Sequence, residues 1–177
     1  MLPIITNDTI DSILNTYRFE LGENYEPYRN HVYRVYNFAV TQLDPKEDLE
    51  KLSIATAFHD LGIWTNKTFD YLEPSTELAR EYCRKQNISS SDTNEVELMI
   101  NNHHKLSTVE SSVLAEIFRE ADLIDLTLGL MPKGRKKEDI RLIRNLFPNK
   151  GFHLFLIKLF AKNLIVNPTH PFPIFKL

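Results

Sequence analysis

The stretch AFHDLGIW, residues 57–64, constrains this chain more than any other. An apolar, Ala-containing run of helical character, LSIATAF, leads directly into a His–Asp pair and then a glycine. His59 and Asp60 are adjacent, so they point to one site only where a helix is ending and the backbone turns between them. Gly62 is the expected stop of that helix. A neutral imidazole beside a carboxylate supplies half of a mixed nitrogen and oxygen coordination sphere for a divalent metal. The other half has to come from elsewhere in the chain.

Taken in order, the sequence reads as helices joined by short polar turns. Asn7, Asp8 or Thr9 can cap a first helix through about Glu20, with Ile10, Ile13, Leu14 and Tyr17 on one face. Leu21 to Glu26 reads as a turn, and Pro27 suits the start of a second helix carrying Val32, Val35, Phe38 and Ala39 at helical spacing. Asp44 and Pro45 break it, and Pro45 can open the helix that carries Leu49, Leu52, Ile54, Ala55 and Phe58 into the His–Asp pair. A loop runs to Glu73. Further helices are expected from Pro74 to Gln86, Thr93 to His104, Val109 to Leu130, Glu138 to Leu146 and Phe152 to Val166, with KGRKK as an exposed turn. Few stretches alternate with period two, and no internal repeat is visible. The expectation is an all-α fold, a bundle of roughly seven to eight helices. It forms a single domain over residues 1–177, with a motif-bearing core at 28–128 and C-terminal helices and a Pro-rich tail at 135–177.

Composition narrows the function classes. With 42% hydrophobic and 25% charged residues the chain has enough apolar material for a well-formed core. A formal net charge of −3 gives no whole-molecule positive field for nucleic acid or acidic lipid, although small anions can still be held by local charges. The single cysteine, Cys83, cannot form an internal disulfide, and no apolar stretch has membrane-spanning length. A cytoplasmic location is expected.

The missing ligands lie on two of these helices. His31 sits on the edge of the apolar face of the second helix, with Val35 one turn later, and so can point inward. Asp122 lies in READLIDLT among Phe118, Ala121, Leu123 and Leu126, a largely buried helix. A buried lone carboxylate is costly unless protonated, paired or bound to a metal. The order His31, His59–Asp60, Asp122, in the strings RNHVYRVYNFA, ATAFHDLGIW and IFREADLIDL, resembles the HD superfamily of metal-dependent phosphohydrolases, and HDLGIWTNKTFDYLEPS is similar to small bacterial members of it. The resemblance implies an all-helical fold in which these four residues bind one divalent ion, whether manganese, iron, cobalt, nickel, zinc or magnesium. Four protein ligands on an ion preferring six leave two positions for water and a substrate oxygen, an open arrangement suited to hydrolysing a small phosphate ester such as a nucleotide.

The sequence also departs from that family. Many catalytic members carry Lys or Glu three residues after the Asp of the pair, where this chain has Ile63, which leaves a non-catalytic nucleotide-binding domain as an alternative. Two-metal members, including di-iron oxygenases, add a His between the pair and a later I-x-x-H motif; no His lies between Asp60 and His103, so a second metal would need Asp70, Glu73 or Glu77. Ile100 and His103 do match I-x-x-H. Here His103 is expected to act on the substrate as acid, base or phosphate donor, and Arg34, one turn after His31, to support the developing charge. Lys67 and Lys105 can border the same mouth, and Asp125 reads as a contact behind the ligands. Trp64 and Tyr71 read as packing residues that can also stack on a base. Lys133, Arg135, Lys136 and Lys137 read as a solvated loop. Phe152, Phe155 and Phe160 suit a core or a homodimer face, and Phe172, Ile174 and Phe175 an anchored tail in which His170 needs no special role.

Overall fold

The computed structural model describes residues 6–43, 49–169 and 173–174. Asp44, Pro45, His170, Phe172 and Phe175 lie outside the described residues. The elements are α1 (Asp8–Thr16), α2 (Arg18–Leu21), a 3-10 turn (Gly22–Asn24), α3 (Tyr25–Val40), α4 (Leu49–Phe58), α5 (Gly62–Thr65), α6 (Leu72–Lys85), α7 (Ser90–Asn102), α8 (Val113–Leu126), α9 (Lys137–Leu146) and α10 (Phe152–Val166). No strand occurs among the described residues, so the fold is all-α. Eight of these helices have nine residues or more, while α2 and α5 are single turns.

Helix α3 is the axis. Twelve of its sixteen residues are buried, which is why it carries apolar side chains well beyond one stripe. It lies against α8 on one side, with α4 and α9 alongside, and α4 is held in turn by α1 and α7. Every residue from Leu52 to Phe58 on α4 is buried, as expected of a helix that is apolar all round.

Local chemistry sets the helix ends. The Asn7 side chain accepts from the amides of Thr9 and Ile10, Ser89 from Asp92, and Ser112 from Ala115, each satisfying amides that the first helical turn leaves without partners. Ser89 therefore starts α7 three residues earlier than expected, and Ser112 starts α8 four residues later. Helix α8 stops at Leu126 rather than Leu130 because Leu128 turns left-handed (φ 57°) and Gly129 donates back to the Ile124 carbonyl. A leucine in the left-handed position is not a stop signal, and the glycine that closes the turn comes one residue after it.

Gly62 differs from expectation in an informative way. It does not end α4 in a left-handed turn but opens α5, after a turn formed by His59, Asp60 and Leu61. A Cβ at this position would lie 2.7 Å from the Tyr71 carbonyl oxygen, 3.0 Å from Pro74 Cβ and 3.0 Å from the Ser75 amide. The glycine allows α5 to press against the start of α6, where its amide donates to Ser75 Oγ. Gly62→Ala is expected to cost about 1–3 kcal/mol, because backbone has to move to admit the methyl group. Urea unfolding of the purified variant measures this directly.

Candidate metal centre

Two helices and one turn bring the sequence-marked residues together. His31 projects from the middle of α3, His59 and Asp60 from the turn after α4, and Asp122 from α8, and none is more than 4% exposed. Tyr28 fixes the turn: its hydroxyl donates to the Ala57 carbonyl and accepts from the Asp60 amide. The His31 and His59 Nε2 atoms lie 2.9 Å apart. Asp60 Oδ2 is 3.6 Å and 3.5 Å from them, and Asp122 Oδ1 3.6 Å and 3.8 Å.

Hydrogen bonding on the far side of each ring decides what these atoms are. His59 Nδ1 donates to the Thr56 carbonyl, and His31 Nδ1 donates to the Asp125 carboxylate, at 2.8 Å and 2.7 Å. Both neutral rings therefore present an Nε2 lone pair inward, where two carboxylates already converge. Four acceptors meeting in a dry space repel one another unless a cation lies among them. Without an ion a proton takes that part: burial pushes the His31 pKa down, but the hydrogen bonds its ring donates to Asp125 and Asp60 outweigh it and raise it to about 9. Burial drops His59 to about 3 against the opposing charge of Asp60, and lifts Asp122 to about 6 against those of His103 and His31, while Asp60, also buried, is held well below the carboxylate range by His59, His103 and His31. The donor set fits a divalent ion. His31, His59 and Asp122 place one ligand atom each within 4.8 Å of one another.

A second group adjoins the first. Asp60, His103 and His104 also offer three atoms within 4.8 Å. His103 Nδ1 donates to the Ile100 carbonyl, so its neutral Nε2 is a lone pair as well, 3.4 Å from Asp60 Oδ1. Both of those atoms are buried without a hydrogen-bond partner. Asp122 Oδ2 lies 3.7 Å from His104 Nδ1, while His104 Nε2 meets the Tyr71 hydroxyl at 2.7 Å. Each aspartate thus has one oxygen toward each group. Asp70, Glu73 and Glu77, the expected source of a second set, are all exposed and belong to neither group.

Arg34 does not face this centre. It is 1% exposed, its Nε and one terminal nitrogen bind the Asp125 carboxylate at 2.6 Å and 2.8 Å, and the other terminal nitrogen donates to the Phe147 carbonyl. The reason is helical: one turn along α3 from His31 places it opposite Asp125, one turn along α8 from Asp122. Burial pushes the Asp125 carboxyl up, but the His31 ring N–H and Arg34 outweigh it and keep it firmly ionised. Lys67 is also elsewhere, lining a separate cavity with Ile63, Trp64 and Phe155. Lys105 does border the site, in a cavity of about 220 Å³ that reaches Asp122, His103 and His104 and includes Arg119. Trp64 is packing, stacked on Phe155 at 5.3 Å and against Tyr28.

Other contributors left little trace in the sequence. Phe152 stacks on the His31 ring at 4.2 Å, and with Leu156 and Phe160 it brings α10 over the centre. His153 donates to the Asp125 carbonyl and Arg144 reaches the Asp125 carboxylate at 3.3 Å. Tyr71 became a hydrogen-bond partner of His104 rather than a stacking platform.

No helix among the described residues is long and apolar enough to cross a membrane. Comparison with curated proteins and with solved structures finds no match. The family model of the HD domain, however, matches residues 28–127, which contain every histidine and aspartate of both groups. The match covers more than half of the chain, and the chain belongs to the HD domain family.

Proposed function

We propose that this chain is a metal-dependent phosphohydrolase acting on a small phosphate ester, with a nucleotide among the candidates, and that His31, His59, Asp60 and Asp122 hold the ion. One observation carries the reading. Asp125 is balanced by Arg34, which leaves two buried carboxylates and two inward lone pairs with no fixed cation among them, a balance that a charge of +2 completes. A bound divalent ion supplies a lowered water pKa and neutralises charge on a phosphoryl oxygen.

The remaining work falls to the chain. His103 Nε2, held in place by its Nδ1–H bond to Ile100, is set to take or give a proton beside Asp60. Lys105 brings positive charge to the 220 Å³ cavity, where among the described residues its ammonium donates to the Thr108 carbonyl alone and can swing to a phosphate. Ile63 faces another cavity, so the family's helper position does not serve this mouth; Lys105 takes up the phosphate-binding part.

The Asp60, His103, His104 group favours a second reading, in which two ions share the aspartates and His103 is a ligand rather than a proton carrier. Elemental analysis decides between one and two ions per chain. The functional test is phosphate release from a panel of phosphomonoesters and nucleotides by protein stripped and reloaded singly with manganese, iron, cobalt, nickel, zinc or magnesium. Release with at least one ion, abolished by chelator, supports the hydrolase. No release with any of them, while nucleotide still binds, sinks it in favour of a sensor, and oxygen uptake by a two-iron form would replace it with an oxygenase.

A further inference from the structure

A groove of about 430 Å³ lies between the turn that follows α8 and the face of α9, away from the metal centre. Lys137, Arg141 and Arg144 line it at spacings of four and three, so all three project from one side of α9. The wall opposite, from the turn, is apolar, made by Leu128, Leu130 and Pro132, and Ile140 of α9 adds apolar surface between the two. Among the described residues no carboxylate lines the groove. Lys137 and Arg141 are exposed, and among the described residues neither forms an ion pair; Arg144 is anchored at one edge by Asp125, 3.3 Å away. Helix α9 also begins here without a side-chain cap, since Lys136 occupies the cap position, although Glu138 and Asp139 in its first turn offset the positive end of the helix.

This is more than a solvated basic face. Gly129, at φ 84°, lets the turn close on α9 so tightly that a Cβ would lie 2.8 Å from Ile140 Cγ2, and the wall is held in place by the bond from the Gly129 amide to the Ile124 carbonyl. A carboxylate ligand would balance one of three converging cations. A phosphate monoester or diphosphate balances two or three and suits paired guanidinium groups, while the leucines offer cover for an apolar or planar body.

We propose that the groove formed by Lys137, Arg141, Arg144, Leu128, Leu130 and Ile140 is a second binding site, for a small organophosphate with an apolar body, distinct from the metal centre. The inference does not depend on the hydrolase reading. Its test is isothermal titration of full-length protein with phenylphosphonate and methylphosphonate, which contain no hydrolysable ester. Asp60→Ala serves as the background, so that the metal centre cannot contribute. One equivalent of phenylphosphonate is expected to bind, more tightly than methylphosphonate, and Lys137→Glu with Arg141→Glu should weaken it by about tenfold or more, both residues being exposed enough for the fold to tolerate the change. Leu130→Asp should remove the preference for the phenyl group. Binding seen only without the Asp60→Ala change, binding unaffected by the two glutamates, or no binding of either probe would each overturn the proposal.

Discussion

Asp60→Ala should leave the protein folded, with less than about a tenth of the wild-type ion content and a loss of about 10³-fold in phosphate release, equivalent to the several kcal/mol that an ion contributes at a phosphoryl centre. Asp60 is the residue to change because one of its oxygens faces both Nε2 atoms of the first group and the other faces His103. Its removal therefore empties a one-ion site and dismantles a two-ion site alike. A separate readout guards against loss of activity for trivial reasons. An ion supplied at about a thousand times its dissociation constant stabilises a folded protein by about 4 kcal/mol, or roughly 8–16 °C in Tm for a chain of this size. Wild type should show that rise on addition of the preferred ion and lose it to chelator, and Asp60→Ala should show neither. An equal rise in the variant would mean that the ion binds somewhere else, and the centre described here would be misassigned.

The His–Asp pair, His31 and Asp122 were legible in the sequence because each lies beside a helix signal: an apolar run that stops, an inward edge, an acid buried among Phe118 and Ala121. Those signals are local, and so is α-helix formation, which is why α10 and α9 also appear within a residue of their expected bounds. What the sequence could not show was direction. Arg34 is one turn from a ligand and reads as a neighbour of the substrate, yet it points to Asp125, a residue distant in sequence. A helix expected to run from Thr93 to His104 would turn the adjacent His103 and His104 side chains apart, but α7 ends at Asn102, and beyond its end adjacent side chains can converge. Gly62 reads as a helix stop when it is a contact point, because close approach between α5 and α6 depends on residues ten and more positions away. The lid made by Phe152, Leu156 and Phe160 was legible as an apolar helix but not as the cover of a particular site.

Arg34→Met provides the second large effect, and it separates two roles that the sequence alone did not. The substitution keeps most of the volume and removes the charge, so the Asp125 carboxylate stays fully buried with only His31 and the more distant Arg144 beside it. Breaking a buried pair on one side costs about 3–5 kcal/mol, since the remaining charge loses its partner without regaining water. A fall in Tm of roughly 6–20 °C is expected, measured by thermal unfolding of the ion-free protein. Loss of Arg34 should also loosen the Asp125 bond that orients His31, weakening ion affinity by about 10–100-fold in a chelator competition titration. Once saturated with ion and held below its melting point, however, the variant should release phosphate at close to the wild-type kcat, because Arg34 does not reach the cavity beside Asp122. A residue acting on the substrate would give the reverse, an unchanged Tm with a collapsed kcat. The double variant Arg34→Met, Asp125→Leu supplies the internal check: with both charges gone the carboxylate that Arg34 balanced is gone too, so part of the stability should return while the ion affinity does not, His31 having lost the acceptor that fixes its ring.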